Sequence, residues 1–200
     1  MPCKRTLLLL LSIIPMLGCQ NGGLAGPPQV PTPTKGDIWF ELDYSDATTS
    51  TTPHITYSQT DGWADADWAP QGAGALEVWD LYNGMAVEID PIGKSLTIGS
   101  SDALQVLIGL EKLKEYSSAV VRVEGRGTAT SSSTSFDVYN PLNSIGASAS
   151  IERDWSIHVV ELDLQSALVA GVGLQGIRVQ PTTNGIALVR LRVSLLGAAW

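Results

Sequence analysis

From about residue 75 onward, apolar and polar positions alternate with a period of two rather than 3.6, the mark of half-buried strands. In 118–124, Ala119, Val121 and Val123 share one face while Arg122 and Glu124 share the other. In 158–164, Val160, Leu162 and Leu164 alternate with Glu161 and Asp163, and His158 falls in the apolar register, which makes it structural. In 186–195, Val189, Leu191, Val193 and Leu195 oppose Leu188, Arg190, Arg192 and Ser194. Shorter runs follow the same rule: Met85, Val87 and Ile89; Phe136 and Val138; Ile177 and Val179. Earlier in the chain, Ile38-Trp39-Phe40-Glu41-Leu42 reads as a strand that sends Trp39 and Phe40 to the core, and Trp79 packs inward from 76–82.

Turn chemistry separates these runs. Asn83-Gly84 is the strongest hairpin signal, and Pro91-Ile92-Gly93, Asn140-Pro141 and the Pro- and Gly-bounded 181–185 are further breaks. Residues 103–110 fit a strand, followed by one helical turn at 111–116, because Gly109 weakens a continuous helix. Residues 165–172 fit a short helix or a loop, and the hydroxyl-rich 128–135 an exposed loop or hairpin tip. About ten strands with little helix predict an all-β fold, an antiparallel two-sheet β-sandwich of jelly-roll type.

The first nineteen residues obey a different pattern. Lys4 and Arg5 precede an apolar run over 7–17, too short to span a bilayer, which needs roughly 20 apolar residues. Gly18 then precedes Cys19. The layout is that of a secretory signal, and Met16-Leu17-Gly18-Cys19 resembles the lipobox of bacterial lipoproteins. The resemblance implies that Cys19 becomes the first mature residue and carries acyl chains, two or more of which anchor a protein stably to a membrane. Gln20 stands where that family carries aspartate as an inner-membrane retention signal, so the resemblance implies an outer-membrane lipoprotein of the cell envelope. Residues 20–36, with four prolines following three glycines, read as a tether. The expected organisation is a signal peptide at 1–18, a lipidated cysteine and flexible linker at 19–36, and one β-sandwich domain at 37–200. Cys3 leaves with the signal, so neither a disulfide nor a cysteine metal site is expected.

Charge narrows the partners. The chain carries a formal charge of −8, and loss of Lys4 and Arg5 makes it more acidic. Nucleic acid is excluded as an expected partner, because phosphate binding needs basic patches. The membrane is reached through the lipid anchor, not through adsorption to anionic headgroups.

The run from Leu113-Lys114-Glu115-Tyr116 into 119–126, then Phe136-Asp137-Val138, Trp155 before 158–164, 176–181 and 186–195, resembles the galactose-binding-like jelly rolls. These include many carbohydrate-binding modules. The resemblance covers roughly residues 75–197, rests on strand order and spacing, and implies a glycan-binding sandwich more strongly as fold than as function. Trp63 and Trp68 lie in a polar, loop-like region with Tyr57. Planar rings stack on the apolar faces of sugars, so these three are the candidate ligand contacts. Asp61, Asp65 and Asp67 sit at short spacing on the same segment and are candidate oxygen ligands for a structural calcium. The segment is not an EF-hand loop. The resembled family also places an acidic calcium ligand in its last strand, where this chain has Ala187-Leu188-Val189-Arg190.

Catalytic motifs are missing from the sequence: no Gly-x-Ser-x-Gly elbow and no His-Glu-x-x-His. The expected function is a non-catalytic, lipid-anchored envelope module that binds glycan or another extracellular polymer. The alternative is a structural or assembly lipoprotein that contacts an envelope protein, and a glycoside hydrolase comes third.

Overall fold

The computed structural model describes residues 38–47, 53–57, 76–81, 85–86, 88–90, 92–109, 113, 115–128, 133–152 and 156–197. Two antiparallel sheets account for its strands. The seven-stranded sheet runs β11 (His158–Leu164), β8 (Tyr116–Gly127), β13 (Ile186–Gly197), β1 (Ile38–Asp43) and β2 (His54–Tyr57). β6 (Ser95–Ile98) also pairs with β13, and β5 (Ile89–Asp90) with β6. The six-stranded sheet runs β10 (Ile145–Glu152), β9 (Ser133–Asn140), β12 (Leu174–Pro181), β7 (Leu104–Gly109), β3 (Leu76–Asp80) and β4 (Met85–Ala86). β7 to β8, β8 to β9, β11 to β12 and β12 to β13 each cross between sheets, the winding of a jelly roll.

The alternation seen in sequence supplies the core. Phe40, Leu42, Val121, Val123, Leu191 and Val193 face inward from one sheet; Val106, Ile108, Phe136, Val138, Ile177 and Val179 meet them from the other. All are buried, and interdigitation of two such faces is what holds a sandwich together. His158 pairs with Gly125, in the inward register of Val160 and Leu162, as its sequence position predicted.

Four expectations are corrected. The ladder of β13 shifts register between Leu188 and Arg190, so Ile186 and Leu188 point inward with Leu191 and Val193, and Val189 is the extra residue of a bulge. Its carbonyl accepts the Tyr44 amide at 2.9 Å. Strict period-two reading cannot anticipate that inserted residue and puts Val189 in the core. Trp39 is half-buried on the outer face, where the Arg192 guanidinium carbon lies 4.0 Å from its ring centroid. Tyr57 ends β2, paired with Phe40, and so belongs to a strand rather than a loop. Ser133 to Ser135, expected in a loop or hairpin tip, open β9, while 165–172 form turns and bends as the loop alternative expects.

The outer face of the seven-stranded sheet carries an ion-pair network. Arg190 Nε donates to Asp43 Oδ2 at 2.8 Å, Arg190 Nη1 lies 3.4 Å from Glu124 Oε2, and Arg122 Nη2 lies 2.8 Å from Glu124 Oε1. Burial pushes the Asp43 pKa up, but the Ser45 hydroxyl, Arg190 and the Ser45 amide together outweigh it and hold the carboxyl below its ordinary value. A lowered folded-state pKa contributes stability that is present above the unfolded-state value and is lost as pH falls through the lowered one. Asp43→Asn is therefore expected to be less stable than the parent at neutral pH, with the difference vanishing in acid below the ordinary carboxylate range. Urea midpoints measured across that interval check this; a difference independent of pH would contradict it.

Candidate functional site

Burial alternates along β9: Thr134, Phe136, Val138 and Asn140 are buried, while Ser135, Asp137 and Tyr139 stand on the outer face. On β12 the outer positions include Gly176, Arg178 and Gln180, and on β7 they include Gln105. Strand register then lines these residues up across the sheet. Gly146 of β10 opposes Tyr139, Tyr139 opposes Arg178, Arg178 opposes Gln105, and Gln105 opposes Trp79 of β3, which puts Trp79 in the outer register and not the inward one expected from sequence. Five strands at about 4.8 Å spacing make this row roughly 19 Å long. A parallel row runs Ser148, Asp137, Gln180.

Hydrogen bonds fix the long row. Gln105 Oε1 accepts from Arg178 Nη2 at 3.0 Å and from Nε at 3.4 Å. Arg178 Nη1 donates to the Tyr139 hydroxyl at 3.1 Å, and that hydroxyl donates to Gln180 Oε1 at 2.8 Å. The guanidinium carbon sits 5.5 Å from the Tyr139 ring centroid, within cation–π range. Ser148 Oγ donates to Asp137 Oδ1 at 2.6 Å. The side chains are thus set before any ligand arrives, which lowers the entropy lost on binding.

Gly146 matters to this geometry. A Cβ there would run into the Val138 carbonyl and the Tyr139 Cβ, so only glycine fits beside Tyr139. The phenol ring consequently has no side chain opposite it on β10. It borders an open groove of about 680 Å³, lined also by Ser100, Asp137, Ser148, Gln180 and Thr182. That volume falls in the range of small-ligand sites.

The groove end of β9 is anchored by two buried amides. Asn140 Nδ2 donates to Ala167 O and to Gln175 Oε1, both at 2.8 Å. Gln175 Oε1 also accepts the Val169 amide at 2.7 Å, and its Nε2 donates to Val169 O and Val172 O, both at 3.1 Å. Carbonyl oxygens that converge in this way resemble a cation cage, but amide N–H groups already donate to them, and those positive ends repel a cation. Among the described residues no three His, Cys, Asp or Glu side chains gather as metal ligands.

Of the residues singled out from sequence, Cys19, Trp63, Trp68, Asp61, Asp65 and Asp67 lie outside the described residues, and Tyr57 is placed in β2. Tyr139, Arg178, Gln105, Gln180 and Asp137 were not singled out. Their signal in the sequence is an aromatic and a cation standing in the polar register of strands whose other register is mostly apolar.

The chain is thus a jelly-roll β-sandwich with a preorganised polar groove on one outer face. No protein-family model and no curated protein matches it. Among solved structures it is similar to a family GH115 4-O-methyl-α-glucuronidase with specificity for decorated arabinogalactans, at 14% identity and a TM-score of 0.43. That match covers 62% of this chain and 18% of the enzyme, so the chain spans less than a fifth of the enzyme's length. It is similar to the structure titled BiXyn10A CBM1, at 13% identity and a TM-score of 0.41, over 76% of this chain and 94% of that one. It is also similar to the CBM22-1 xylan-binding domain of Paenibacillus barcinonensis Xyn10C, at 12% identity and a TM-score of 0.40, over 80% of this chain and 94% of that one.

Proposed function

We propose that this protein is a non-catalytic glycan-binding module, held to the bacterial cell envelope by lipid on Cys19, whose ligand lies in the groove bordered by Tyr139. The single observation that carries the reading is the fixed row Tyr139, Arg178 and Gln105 beside a glycine that leaves the ring uncovered. An aromatic ring flanked by planar donors and acceptors matches a sugar, which offers a C–H face for stacking and hydroxyls for directed hydrogen bonds. Asp137 is the one carboxylate among the described residues that line the groove. Glycoside hydrolysis ordinarily uses a pair of carboxyl groups about 5–10 Å apart, so this lining favours binding over turnover.

Affinity electrophoresis of the full chain through gels containing a panel of neutral and acidic polysaccharides tests the proposal. Retardation in at least one gel, without release of reducing ends, is the expected outcome. Free migration in all of them overturns it and favours an envelope-protein partner. The anchor has its own test. Cys19→Ser is expected to move the protein from the membrane to the soluble fraction, and a mature wild-type protein without acyl mass would contradict lipidation.

A further inference from the structure

Arg178 differs from two arginines of the opposite sheet. Arg122 and Arg190 each lie against a carboxylate, at 2.8 Å from Glu124 and 2.8 Å from Asp43. Arg178 has no carboxylate partner among the described residues; its contacts are the neutral oxygens of Gln105 and Tyr139. Those contacts occupy Nε–H and one N–H on each terminal nitrogen. One N–H remains on Nη1 and one on Nη2 to meet a ligand anion. An uncompensated cation fixed on the binding face of a chain of net charge −8 is a charge in search of an anion.

Resting on the glycan reading of the same groove, we infer that the ligand is an acidic glycan and that Arg178 binds the carboxylate of a uronate unit. Arg178 lies beyond the groove lining, one strand past Tyr139 and 5.5 Å from its ring centroid, so a sugar against Tyr139 reaches it by extending its carboxylate along the row. Asp137, in the adjacent row and bonded to Ser148, repels the same carboxylate and so sets which way the ring lies. The protein's overall negative charge opposes a polyanion only at long range, and beyond roughly 8 Å physiological salt screens it. The local guanidinium therefore decides.

The test measures binding of the full chain to polygalacturonate, glucuronoxylan and alginate, each beside its carboxyl-reduced form. At least one acidic polymer is expected to bind about tenfold or more tighter than its reduced partner, and Arg178→Gln is expected to bring the two affinities together. Arg178→Lys, which keeps the charge but loses the fork, is expected to retain part of the preference. Equal affinity of the wild type for every acidic and reduced pair overturns this inference and leaves the glycan reading standing, as does a preference that survives Arg178→Gln. Binding to none of these polymers, nor to the neutral panel, overturns both.

Discussion

Replacing Gln175 by alanine is expected to destabilise the protein by about 3 kcal/mol, the largest loss of any single polar substitution here. For a domain of this size that lowers the thermal midpoint by about 6–12 °C. Gln175 is 2% exposed, and its amide makes four hydrogen bonds, with Asn140, the Val169 amide, Val169 O and Val172 O. Truncation leaves the buried Asn140 amide and the part-buried Val169 and Val172 groups without this partner, and a buried group left without a partner costs more than an average hydrogen bond contributes. Gln175→Glu separates hydrogen bonding from shape. It preserves volume but turns an oxygen toward the carbonyls of Val169 and Val172, so its expected midpoint is no higher than that of the alanine variant. A glutamate variant as stable as the parent would show that the cluster holds by packing alone.

Tyr139→Ala is expected to weaken glycan binding by about 10–100-fold, the cost typical of removing an aromatic anchor at the centre of a contact. The side chain is half-buried and its ring lies on the outer face, so the thermal midpoint should stay within a few degrees of the parent's. Tyr139→Phe keeps the stacking ring but cuts the relay in which the hydroxyl accepts from Arg178 and donates to Gln180. Its expected affinity lies between the two, because Arg178 and Gln180 lose a fixed partner while the ring remains. Titration calorimetry against the tightest polymer of the panel reads both variants. Undiminished affinity in Tyr139→Ala would remove this residue from the site.

The two-sheet sandwich was legible because each long strand buries one face only, and a one-sided strand must alternate. Ala119, Val121 and Val123 against Arg122 and Glu124 are the plain case. The pattern failed where the backbone departs from two-residue repetition, at the bulge on Val189. It also failed at Trp39, whose apolar ring lies along the outer face beneath the Arg192 guanidinium. β10 escaped notice because its sequence, IGASASIE, is built of small residues with almost no contrast between faces. As an edge strand with mostly exposed positions it needs none.

The candidate site was harder to read for a different reason. Tyr139 and Arg178 lie 39 positions apart and meet only because β9 pairs with β12. Local periodicity places each on a polar face but carries no information about which strands become neighbours. Tryptophans in a polar segment point instead to Trp63 and Trp68, which lie outside the described residues. A sequence reading favours large rings in polar segments; a register map favours residues that share a row.

Amide chemical-shift mapping on the isotope-labelled protein, titrated with the polysaccharide it binds most tightly, tests the location of the site most directly. The expected perturbations concentrate on Asp137, Tyr139, Gly146, Ser148, Arg178 and Gln180. Perturbations that bypass these residues and concentrate instead around Trp63 and Trp68, or on the opposite sheet around Trp39 and Arg192, would contradict the assignment of the groove as the binding site.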